Sequence, residues 1–100
     1  MDWTNREVRQ RFYNSKTWQE TRLWVLNNEP LCRSCIKQDR ITAAVLVDHI
    51  VPLIARPDLR IDRDNLQSLC RECHDIKTAA EQKPKQGKIY NLKWKKNGQT

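Results

Sequence analysis

Glycine is scarce in this chain, two residues in 100, and that scarcity excludes the glycine-rich loops that wrap the phosphates of a nucleotide. Nucleoside-triphosphate chemistry is therefore not expected. Long apolar runs are missing too. The longest, residues 43–47, is far too short to cross a bilayer. The opening residues, Met1 to Phe12, mix charges with single aromatics and hold no apolar stretch of the kind a secretory signal needs. The expectation is a cytoplasmic protein without membrane contact, in a reducing compartment where paired cysteines bind metal more often than they form structural disulfides. Histidine is rare as well: only His49 and His74 are present.

Acids are absent from the last stretch of chain, Lys83 to Thr100. Lys83, Lys85, Lys88, Lys93, Lys95 and Lys96 give it +6 of the net +7, a charge that is drawn to polyanions and releases counterions on binding them. A solvated, solubilising end has the same composition. The aromatics Tyr90 and Trp94 tip the balance toward nucleic acid, since a ring between lysines can stack on a base, although they could equally fold the tail back onto the domain. The sequence thus divides into one domain over residues 1–82 and a basic tail over 83–100.

A domain of this length has a thin margin of stability. With 38% apolar and 31% charged residues, a staple is expected. Cys32-x-x-Cys35 and Cys70-x-x-Cys73 supply it. Two matched pairs leave no cysteine over, and four thiolates close a tetrahedral zinc site with no position open for water, so the ion is structural. A redox Cys-x-x-Cys would need only one pair, and two disulfides would suit an oxidising compartment.

Around these pairs the local signals are readable. Ser15 or Thr17 can cap a helix running to Asn27 or Asn28, with Trp18, Val25 and Leu26 on one stripe and Pro30 beyond its end. An aromatic stripe at that spacing is core, so Trp18 and Trp24 receive no functional role. Residues 31–36 form a tight cysteine turn, residues 42–51 a β-branched strand, and residues 55–64, with Pro57 among charges, an exposed loop. A second cysteine turn follows Asn65 to Leu69 and leads into a helix over residues 72–82, stopped by Pro84.

Asp48 and His49 stand together at the end of the strand, where alternation turns them to opposite sides. His74 follows Cys73, so the zinc turn sets its position. A carboxylate and an imidazole make a partial shell for magnesium, manganese or a softer divalent ion, with positions left for phosphate oxygens and water. Singly each residue has a plainer explanation: an aspartate that caps or pairs with an arginine, a histidine that is merely hydrogen-bonded.

Taken together, Cys32-Arg-Ser-Cys35, Asp48-His49-Ile50-Val51-Pro52, Asn65-Leu66-Gln67-Ser68-Leu69-Cys70-x-x-Cys73-His74 and Lys77-Thr78 resemble the HNH endonucleases, in their four-cysteine phage and bacterial branch. The likeness spans about Trp18 to Thr78. It implies a small α+β fold, a ββα-metal (His-Me finger) core with an N-terminal helix and a structural zinc site on the four cysteines. It implies that His49 is the general base, that Asp48 and His74 hold one catalytic Mg2+, Mn2+ or Ni2+, and that Asn65 holds the strand pair and orients the base. The substrate it implies is DNA, nicked or cut through both strands, in a bacterial or phage-infected cell, by a monomer or weak dimer. Arg71, Lys77 and the tail lysines are candidate phosphate contacts. The resemblance further suggests a role beside phage terminase in DNA packaging. The competing function is a non-catalytic zinc-ribbon DNA-binding adaptor.

Overall fold

The computed structural model describes residues 1–81. The lysine-rich tail, with Lys83, Lys85, Lys88, Lys93, Lys95 and Lys96, and the domain boundary at 82/83 lie outside the described residues. Two helices come first. Helix α1, Arg6–Tyr13, starts where the Asn5 side chain accepts hydrogen bonds from the Glu7 and Val8 amides, which satisfies two of the donors that a helix start leaves unpaired. Helix α2, Lys16–Asn28, is capped by Ser15, whose hydroxyl oxygen accepts from the Trp18 amide at 3.1 Å. This is the helix that the serine and the apolar stripe predict. A short turn, α3 (Arg33–Ile36), then carries the first cysteine pair.

Strand β1, Leu46–His49, pairs antiparallel with β2, Leu66–Leu69, matching His49 with Leu66 and Asp48 with Gln67. Sequence predicts a strand over residues 42–51, but the ladder is shorter. Its partner has only four residues between Asn65 and Cys70, and upstream the chain makes only an isolated bridge, Leu31 to Ala43. Helix α4, Arg71–Glu81, closes the ββα unit.

Because successive residues of a strand face opposite sides, this small sheet separates two cores. Val47 and Leu66 pack with Trp18, Val25, Phe12 and Tyr13 on the side of α1 and α2. Leu46 and Leu69 pack with the four cysteines on the other. His49 follows Val47 onto the aromatic side, and Asp48 follows Leu46 toward α4.

The segment between the strands differs from the exposed loop expected over 55–64. Asp58, Arg63 and Asp64 are exposed, but Arg56, Arg60 and Asp62 are partly buried, and the segment contains two 3-10 turns, Pro57–Leu59 and Arg63–Asn65, and buries Leu59. Asn65 accounts for this order. Fully buried, it accepts from the Val51 amide at 2.8 Å and donates to the carbonyls of Val51 (3.2 Å) and Leu59 (3.4 Å). One amide side chain thus satisfies three backbone groups of a segment that has no ladder of its own.

Candidate active site

The cysteines are gathered at one place. Cys32, Cys35, Cys70 and Cys73 are all buried, and their sulfurs lie within 4.8 Å of one another. Cys35 Sγ is 3.9 Å from Cys70 Sγ and 3.7 Å from Cys73 Sγ. Four sulfurs at about 2.3 Å from a tetrahedral zinc would stand about 3.8 Å apart, so the set fits that ion. The Thr42 hydroxyl and the Arg40 guanidinium, 3.6 Å from the sulfur, pull the Cys35 thiol down to about 6, toward the thiolate that a metal requires. Asp39, at φ 61°, makes the left-handed turn that returns the Arg40 amide to the Cys35 carbonyl, a conformation that aspartate tolerates better than most residues.

Beyond the cysteines lies a cleft of about 310 Å³, bordered by Asp48, His49, His74 and Glu81, with Arg9 and Tyr13 from α1. Each donor in it is fixed by a neighbour. Asp48 Oδ2 accepts from Gln67 Nε2 at 3.3 Å and from Lys77 Nζ at 3.0 Å, which leaves Oδ1 toward His74 Nε2 at 3.7 Å. That separation is too long for a hydrogen bond and short enough for one divalent ion, at about 2.0–2.2 Å from each, to touch both. His74 Nδ1 is buried without a hydrogen-bond partner, and the nearest carboxylate, Asp75 Oδ1, is 3.7 Å away. The donor set fits a divalent cation, with oxygen and nitrogen ligands rather than sulfur.

His49 is buried, and its Nε2 lies 2.9 Å from the Arg60 carbonyl. A carbonyl can only accept, so Nε2 carries the hydrogen and the lone pair of the neutral ring sits on Nδ1. The ring stacks on Trp18 and touches Phe12 and Tyr13. Burial among these rings pushes its pKa below the ordinary imidazole range, against the opposing pull of the Arg60 carbonyl and Asp48. A neutral, oriented imidazole beside a cation site is what abstraction of a proton from water needs.

A family model of the HNH endonucleases matches residues 27–80, more than half of the chain. The chain belongs to the HNH endonuclease family. A crystal structure of the HNH endonuclease of the deep-sea thermophilic bacteriophage GVE2, solved with a manganese ion, is similar at 46% identity and a TM-score of 0.74, over 79% of this chain and 87% of that one. Comparison with curated proteins gave no match. The chain is thus an HNH endonuclease acting on DNA, of a kind found in phage.

The fold brings Asp48, His49 and His74 of this nuclease to one cleft and keeps Asn65 behind it, under the connecting segment. Arg71 stands exposed at the start of α4, away from the cleft lining. Lys77 points inward: its ammonium contacts Asp48, donates to the His49 carbonyl at 3.0 Å and pairs with Glu81. Burial alone would lower the pKa of Lys77, but Glu81 and Asp48 outweigh it and hold the charge on. Three further residues shape the site. Trp18 forms the surface under His49, Gln67 braces Asp48 across the ladder, and the Arg60 carbonyl fixes the tautomer. Of these only Gln67 has a signal in the sequence, two residues after Asn65 in a strand that must pair with Asp48-His49.

Proposed function

We propose that this endonuclease hydrolyses DNA phosphodiesters with His49 as general base and one divalent cation, Mg2+, Mn2+ or Ni2+, held by Asp48 and His74, while a structural Zn2+ on the four cysteines fixes the fold. The observation that carries this reading is the hydrogen bond from His49 Nε2 to the Arg60 carbonyl, which leaves Nδ1 as the basic nitrogen in the cleft that Asp48 and His74 share.

A phosphodiester resists attack because it is anionic and its leaving alkoxide is poor, and a bound cation offsets both by neutralising charge and stabilising the departing oxygen. The residues of the chain do the rest. His49 takes the proton of the attacking water on Nδ1, and the Arg60 carbonyl stabilises the imidazolium that results. Asp48 and His74 are held as ligands by Gln67, Lys77 and the cysteine turn. Asn65 keeps the connecting segment folded so that the Arg60 carbonyl stays on Nε2. In-line attack leaves a 5′-phosphate and a 3′-hydroxyl.

The basic tail adds sequence-independent affinity for DNA, and cleavage is a nick or, from a dimer or two encounters, a double-strand break. Likeness to a phage HNH endonuclease supports an infected cell as the setting, and a packaging role beside terminase in its cytoplasm belongs to the same proposal. The decisive experiment incubates purified protein with supercoiled plasmid, with and without magnesium, manganese or nickel, alongside His49→Ala. Metal-dependent nicking or linearisation that drops by about 10²–10⁴-fold in the mutant is expected. No cutting by folded, zinc-loaded protein would point instead to a binding adaptor.

A further inference from the structure

The cleft has a wall that the family match does not include. Helix α1 lies before residue 27, where the match begins, yet Arg9 and Tyr13 border the same cleft as Asp48, His49 and His74. Burial, and then the negative charge of Asp48, raise the Tyr13 hydroxyl above its ordinary range, while Arg9 acts on it in the opposite direction. The Tyr13 hydroxyl therefore lies within electrostatic reach of both the metal-ligand carboxylate and the Arg9 cation.

Arg9 is held in place by the fold through one edge of its guanidinium only. Its Nη1 donates to the Trp3 carbonyl at 3.0 Å and to the Thr4 carbonyl at 2.8 Å. That occupies both hydrogens of Nη1 and leaves the edge formed by Nε and Nη2, a fork that matches two oxygens of a phosphate. Arg33 and Arg56 are neutralised by Glu29 and Asp58. Arg9 is in salt-bridge contact with no carboxylate among the described residues, and the exposed Asp2 feels its charge only as a weak, longer-range pull. The cleft lining also holds two acids, Asp48 and Glu81, and the charge of Lys77 is already committed to both. A DNA strand entering to be cut needs positive charge from elsewhere.

We infer that Arg9 binds a backbone phosphate of the DNA from the α1 side of the cleft and so fixes the register of the strand over His49. The inference rests on the reading of this cleft as the active site. It makes α1 part of the substrate-binding surface of this chain and not only a cover for the aromatic core.

The test measures affinity for a short duplex across a salt series with full-length protein in a His49→Ala background, comparing Arg9→Gln and Arg9→Lys. Gln keeps a polar amide without the charge, and a circular-dichroism spectrum of each variant guards against simple loss of α1. Each phosphate contact contributes about 0.9 to the slope of log K against log salt. The expected result is a slope shallower by about 0.9 for Arg9→Gln and unchanged for Arg9→Lys, with KM raised more than kcat falls for Arg9→Gln when His49 is intact. An unchanged slope for Arg9→Gln overturns the inference, as does an equal loss for Arg9→Lys. Plasmid cleavage that survives His49→Ala would instead remove the reading of the cleft, a separate result.

Discussion

The His49 imidazole lies stacked on the Trp18 indole, with ring centroids 5.1 Å apart and planes inclined by 20°. Trp18 is itself buried against Val25 and Leu66, so the imidazole rests on the hydrophobic core. This has two consequences for the chemistry. The ring cannot swing away from the cleft without opening the core, and its charged form is disfavoured by the surrounding rings. On the proposed mechanism, a core aromatic tunes the general base.

The pH dependence follows with a definite sign. Burial depresses the pKa of His49 in the folded protein, below the ordinary value of about 6.5. The acid limb of kcat/KM is therefore expected below 6.5, with the base fully competent at neutral pH. Unfolded chain binds the proton more readily, so stability from this group is complete above about 6.5 and is lost as pH falls from there through the folded pKa. Trp18→Phe, which thins the surface under the ring, is expected to move the limb upward. A kcat/KM profile of the two proteins checks it, and coincident limbs would argue against tuning by Trp18.

Much of this was legible in the sequence, and the remainder was hidden for particular reasons. The cysteine pairs, the Ser15 cap and the ordered Asp48, His49, Asn65 and His74 are local or strongly spaced signals, and the fold gathers the cysteines at one point, sets Ser15 at the start of α2 and brings Asp48, His49 and His74 to one cleft. Helix α1 was not legible because its eight residues carry more charge than apolar character; its signal was the Asn5 cap with Glu7 in the first turn. Trp18 read as core, which it is, but no periodicity reveals that a histidine from a strand some thirty residues on will lie on it. The Arg60 carbonyl is a backbone group, invisible to any motif. The Asn65 side chain donates to the carbonyl of the residue before Arg60, Leu59, a contact that exists only once the connecting segment has folded.

Asn65 offers a direct test of that chain of placement. Asn65→Ala strips partners from the Val51 amide and from the carbonyls of Val51 and Leu59 in a buried setting, at about 1–3 kcal/mol for each group left unsatisfied. The variant is expected to unfold at lower denaturant and, under conditions where it remains folded, to cut DNA more slowly with little change in KM. Chemical denaturation and single-turnover kinetics read the two effects. Normal stability would show that Asn65 does not organise the segment.

Lys77 allows a distinction between two roles. Its ammonium contacts Asp48 Oδ2, the His49 carbonyl and Glu81, so on the proposed mechanism it braces a metal ligand. Losing such a partner costs about 10–100-fold in metal affinity or activity. Lys77→Met is expected to weaken Mn2+ binding and cleavage by that order while leaving the salt slope of DNA binding unchanged. A slope shallower by about 0.9, with Mn2+ affinity intact, would make Lys77 a phosphate contact.

If the cysteines hold a structural zinc and Asp48 and His74 the catalytic cation, as proposed, the two sites separate cleanly on mutation. The four cysteines form a buried cluster that joins α3 to the start of α4, and a structural zinc site contributes about 10 kcal/mol or more of apparent binding free energy. That is comparable to the whole stability of a small domain, about 5–15 kcal/mol, so Cys32→Ser or chelation is expected to unfold the chain. His74 is only partly buried and outside both cores. His74→Ala is therefore expected to keep the zinc, the circular-dichroism spectrum and nearly all of the melting temperature, while losing metal-dependent cutting. The pair of measurements is zinc content by atomic absorption and thermal melting, set beside plasmid cleavage. A Cys32→Ser protein that is folded and fully active would remove the zinc staple from this account, whatever the second metal does.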